Sequence, residues 1–121
     1  MEQKLLNFSN VILHTNGSGL WSKTRKSVPI TKVILGYVNT ERDFGELCVF
    51  FNTSIWDIRK DGLIYTDKLF LKELQQTLND MGLNGSDVYY SEQGMQGRDY
   101  VSLDVGDRFI RSYDEQCSEA K

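Results

Sequence analysis

Residues 57–68 begin like a calcium loop and then lose its decisive ligands. Asp57 and Asp61 stand at the first and fifth positions of such a loop, Gly62 at the sixth and apolar Ile64 at the eighth. Calcium also needs an oxygen donor at the third position and a bidentate Glu at the twelfth. Arg59 and Lys68 occupy those places, and a cation there repels the ion. The spacing instead predicts a tight turn over 59–62, with Gly62 supplying a positive φ, followed by a helix capped by Thr66 or Asp67. Zinc fares no better, because Cys48 and Cys117 lack ligand spacing and His14 is the only histidine. Neither a metal nor a cofactor is expected.

Two polar segments have compositions suited to binding. Residues 21–27 combine Trp21 with Lys23, Arg25 and Lys26 and three hydroxyl residues, without an acid. Such cations neutralise phosphates and an indole stacks on a base, while Gly17 and Gly19 let backbone N–H groups approach an anion. No glycine-lysine-hydroxyl run opens a helix there, so the segment is not a P-loop. Residues 89–100 form the second segment. Tyr89, Tyr90 and Tyr100 could stack a planar ligand while Glu92, Gln93, Gln96 and Arg98 read its polar edge. Both compositions also describe ordinary solvated turns, with Trp21 tucked under the core and Gly94 and Gly97 meeting hairpin geometry.

Catalytic groupings are poorer. His14 lies in a strand pattern, and Cys48 lies in the apolar run of residues 47–51, where burial raises a thiol pKa and quenches its reactivity. Asp104 and Asp107 are a conceivable acid-base pair, but a helix-capping role explains Asp107. Acids gather in the last third at Asp87, Glu92, Asp99, Asp104, Asp107, Asp114 and Glu115, yet Arg98, Arg108 and Arg111 interrupt them. Local ion pairs fit that pattern better than mimicry of a polyanion.

The elements that must position these groups read as α+β. About five or six short strands are expected, at 10–15, 30–38, 46–51, 88–90 and 100–105, with 55–58 and 63–65 extending the sheet across a bulge. Hairpin-length connections make the sheet mainly antiparallel. One long helix over 67–81 packs on it through Phe70, Leu71, Leu74, Leu78 and Met81, and Gly82 ends it. A short C-terminal helix over 107–115 carries Phe109, Ile110 and Tyr113, and 116–121 is a disordered polar tail. The strand at 46–51 is apolar on both alternating faces, so it is either covered on both sides or half of an oligomer interface.

A chain of 121 residues with a net charge of -3 is one domain, 1–121, too mildly charged to be a polyanion binder as a whole. Cysteine usage fits a reducing cytoplasm, and no apolar run approaches the roughly 20 residues of a membrane helix. The expectation is a small, non-enzymatic, self-associating binding protein for a protein or a small anionic, nucleotide-like ligand. Nucleic-acid binding through residues 21–26 is the alternative, and a hydrolase or transferase using 89–107 the third reading. Size and compactness also match accessory proteins of phages and mobile elements, an association that no residue carries.

Overall fold

The computed structural model of the chain describes residues 3–6, 12–16, 25–39, 44–58, 63–92 and 96–119. Strands β1 (Gln3–Leu6), β2 (Ile12–Asn16), β3 (Arg25–Asn39) and β4 (Phe44–Phe51) come first, then helices α1 (Ile55–Ile58) and α2 (Lys68–Asp80), then strands β5 (Val88–Tyr90) and β6 (Tyr100–Val105) and helix α3 (Asp107–Glu119). The sheet runs β1-β3-β4-β6-β5, with β2 also paired to β3. Every pairing is antiparallel, so the architecture is α+β with an antiparallel sheet.

Period-two alternation builds the core. Leu47, Val49 and Phe51 of β4 and Val101, Leu103 and Val105 of β6 are buried, and Leu47 opposes Leu103 as Val49 opposes Val101. Phe70, Leu74 and Leu78 of α2 and Phe109, Ile110 and Tyr113 of α3 join that surface. Phe70 meets Phe51 edge-on, with ring centroids 5.8 Å apart.

Local chemistry ends the helices where the sequence says it should, with one exception. Asp67 caps α2 by accepting the Phe70 N–H at 3.0 Å. Gly82 leaves α2 at φ 86°, its N–H reaching the Asn79 carbonyl at 3.0 Å while the Leu83 N–H reaches Leu78 at 2.9 Å, the paired bonds of a Schellman end. The exception is α3. Asp107 does not cap it; it sits in the first turn and pairs with Arg111 at 3.1 Å. The cap comes from Asp87, on a 3-10 turn, whose Oδ2 accepts the N–H groups of Arg108 at 2.9 Å and Phe109 at 3.3 Å. Gly106 makes room for it, since a Cβ there would overlap the Asp87 carboxylate.

Several expectations are corrected. The helices α2 and α3 are equal, 13 residues each, rather than one long and one short. Helix α3 runs past 115 through Glu119, and Gln116 ties its last turns to α2 by donating to the Met81 carbonyl at 2.8 Å. Residues 55–58 form a helical turn instead of a strand, because the Ile55 N–H is taken by the Arg98 carbonyl and the Trp56 N–H by Ser54 Oγ. Leu63 and Ile64 are not in a strand either: Gln96 Oε1 accepts the N–H of Ile64 at 2.7 Å and of Tyr65 at 3.3 Å in place of a neighbouring strand. Strand β3 starts at Arg25, so Arg25 and Lys26 belong to a ladder with β2 rather than a loop. The turn expected at 59–62 lies outside the described residues.

Candidate functional site

The second face of the sheet is built from the residues that alternate with the core. Directly opposed positions line up as Lys32, Phe50 and Tyr100, then Ile34, Cys48 and Ser102, then Gly36, Glu46 and Asp104, with Tyr89 beyond Asp104. A register shift between Ile30 and Lys32 sets the phase of β3, so that Ile30 and Val33 enter the core and Lys32 turns out. Thr31 Oγ1 closes that irregularity by donating to the Phe50 carbonyl at 3.0 Å. The described helices pack on the other face. Strand β4 is thus helix-covered on one side only, and its half-buried Phe50, Cys48 and Glu46 look outward.

Chemistry changes along this face. At one end Lys32 Nζ stands 5.1 Å from the Phe50 ring centroid, and Phe50 lies 5.6 Å from Tyr100 at an interplanar angle of 37°. At the other end are Glu46 and Asp104. Loss of hydration first, then the charges of Glu46 and Glu92, raise the Asp104 carboxyl above its ordinary value. Between them the Cys48 thiol donates to Glu46 Oε1 at 3.2 Å. Burial first, and then that contact and charge, push it up to about 11, against a hydrogen bond from Ser102 that pulls the other way. Such a thiol is protonated and a poor nucleophile at neutral pH.

A cleft opens where β4 and β6 part. The Phe51 N–H bonds the Asp99 carbonyl at 2.8 Å and the Ile55 N–H bonds that of Arg98 at 2.8 Å, so residues 52–54 bow away between two fixed points. The space of about 350 Å³ is lined by Phe51, Asn52, Thr53, Ser54, Arg98 and Asp99. Arg98 is exposed, and among the described residues its guanidinium has no ionic partner. Two residues on from Ser54, the Trp56 backbone N–H donates to Ser54 Oγ at 3.2 Å, and 55% of the Trp56 surface is exposed.

The predicted site residues therefore disperse. Tyr89 and Tyr90 lie on opposite faces and cannot stack one ligand. Tyr89 is exposed and donates to Asp87 Oδ1 at 2.6 Å, which raises its own pKa. Tyr90 is half-buried against the core and donates to the Asp67 carbonyl at 2.7 Å. Gln96 is engaged with the backbone of Ile64 and Tyr65. Tyr100 packs on Phe50 and over Gly97, where a Cβ would overlap its ring. Glu92 is exposed and bears on Asp104. Of the basic segment, Arg25 pairs with Asn16 and Lys26 with Thr15 in the β2–β3 ladder, while Trp21 and Lys23 lie outside the described residues. Among the described residues of the ten, only Arg98 lines the cleft. Its companions Asn52, Thr53 and Ser54 are not among the predicted site residues, although three small polar residues closing an apolar strand are a visible turn signal.

Among the described residues no helix is long and apolar enough to cross a membrane, and no group of three or more His, Cys, Asp or Glu is placed to hold a metal. Comparison with family models, curated proteins and solved structures finds no match, so function is read from the chain's own residues.

Proposed function

We propose that the chain is a non-catalytic binding protein that takes a small anionic, nucleotide-like ligand in the Arg98 cleft. The observation that carries this reading is an exposed guanidinium, without an ionic partner among the described residues, in a cleft whose other lining residues are Phe51, Asn52, Thr53, Ser54 and Asp99. A guanidinium presents a planar fork of donors that fits phosphate or carboxylate, and hydroxyl and amide groups complete such a shell. The half-exposed Trp56 beside Ser54 offers the stacking surface a planar base needs. Binding is favoured over catalysis because the described lining of the cleft holds one acid, Asp99, and no second acid, histidine or cysteine to work with it.

Titration with adenosine monophosphate, inorganic phosphate and adenosine, followed by calorimetry and by tryptophan fluorescence, tests the reading. The monophosphate should bind most tightly, and Arg98→Ala should weaken it at least tenfold while leaving the melting temperature nearly unchanged. Absence of binding by the monophosphate at millimolar concentration, or equal binding by the variant, would overturn it. Binding of an oligonucleotide that survives Arg98→Ala and falls steeply with salt would move recognition to Arg25 and Lys26.

A further inference from the structure

We infer that the sheet face left bare by the described helices docks a second copy of this chain, with Lys32 of each copy placed against Glu46 and Asp104 of the other. The array of opposed residues has two charged corners. Lys32 lies on β3 in line with Phe50 and Tyr100, and Asp104 lies on β6 in line with Glu46 and Gly36, with β4 between. A two-fold axis lying in the interface along the other diagonal, from Gly36 to Tyr100, exchanges those corners. One rotation then sets each cation over the opposite copy's acids and lays Phe50 over the position of the second copy's Ser102, a small residue already buried within its own chain. An isologous contact requires such self-complementarity, and charges so arranged fix its register.

Each side of the arrangement supplies something the other lacks. Lys32 is exposed, and its only contact among the described residues is the Phe50 ring. Glu46 and Asp104 are directly opposed on neighbouring strands, an arrangement of like charges that a cation relieves. Between the corners Phe50, Cys48 and Ile34 are half-buried, enough apolar surface to exclude water from the centre. The footprint sets the strength. Five strands about 4.8 Å apart cover only several hundred Å², the lower end for a specific dimer, so the affinity belongs in the micromolar range.

Sedimentation of the full chain from about 1 to 300 µM reads the outcome. The unaltered chain should shift from monomer to dimer over that range and dissociate as sodium chloride is raised, since exposed ion pairs are screened. Lys32→Glu and Asp104→Lys should each weaken the dimer at least tenfold, and the two together should restore most of it. Lys72→Glu, a charge reversal on α2, should leave it unchanged. A chain that stays monomeric throughout, a dimer indifferent to salt and to both reversals, or a double variant no better than the singles would overturn the proposal. Circular dichroism on each variant separates lost docking from lost folding, and the salt titration of the unaltered chain stands even if a variant does not fold.

Discussion

The two faces of β4 differ in what holds them and in what they leave free. On one, Leu47, Val49 and Phe51 are packed under α2 and α3 with the matching residues of β6. On the other, Glu46, Cys48 and Phe50 sit half-buried beside Asp104, Ser102 and Tyr100, with polar groups and a cation among the aromatic rings. Residues 47–51 look uniformly apolar in sequence, yet only one face of the strand joins the core. One face uses its chemistry for packing, and the other keeps charges and rings outside the core.

The largest test of that contrast is truncation on each face. Leu47→Ala should cost about 3 kcal/mol in urea unfolding, the loss of buried methyl groups plus a cavity under two helices. Phe50→Ala should cost nearer 1 kcal/mol, because the ring is only half-buried and loses mainly its contacts with Lys32 and Tyr100. Equal losses would mean that the open face is as structural as the core.

Thiol chemistry sharpens the same contrast without unfolding anything. In a Cys117→Ser background, Cys48 should react with iodoacetamide at pH 8 roughly a hundredfold more slowly than an ordinary thiol, as a rise from 9.0 to about 11 implies. Glu46→Gln should recover part of that loss by removing the charge that disfavours the thiolate. Rapid alkylation of the unaltered residue would show that Cys48 is neither desolvated nor held by Glu46.

Alternation, turn residues and caps made much of the fold legible. The phase of 101, 103 and 105, the Asp67 cap and the Gly82 end depend on neighbours within a turn or a strand, so their residues announce them. What stayed hidden depends on distant partners. Strand β1 is short and takes its place by pairing with residues 33–36 of β3. The turn at 55–58 follows from a bond to Arg98, and α3 takes its cap from a residue about twenty positions earlier. The candidate site suffered most, because its cleft joins residues 51–54 to 98–99 through the sheet, and the nearby tyrosines fell to opposite faces.

Asp87 links the open face to the helical layer, holding Tyr89 with one oxygen and the start of α3 with the other. Asp87→Ala should cost about 1 to 2 kcal/mol, within the range for a lost N-terminal cap. Tyr89→Phe should cost well under half of that, since it leaves the cap in place. Similar losses from both would make the tyrosine bond, not the cap, the purpose of the carboxylate.

Asp104 gives the smallest effect and the one with a definite sign. Its folded-state pKa is raised, so the native chain binds the proton more tightly than the unfolded chain does. The contribution of this group is therefore most favourable at low pH and becomes unfavourable as pH rises through the carboxylate range. Asp104→Asn should stabilise the monomer near neutral pH, by no more than about 0.5 kcal/mol once solvent screening of a largely exposed group is allowed for. The gain should shrink on acidification, when the native carboxyl is already neutral. Urea unfolding at protein concentrations well below about 1 µM, followed by tryptophan fluorescence and repeated from pH 7 downward, measures it free of any dimer. A gain that grows with acidity, or a clear loss at pH 7, would mean that the charge of Asp104 is stabilised in the fold rather than crowded by Glu46 and Glu92.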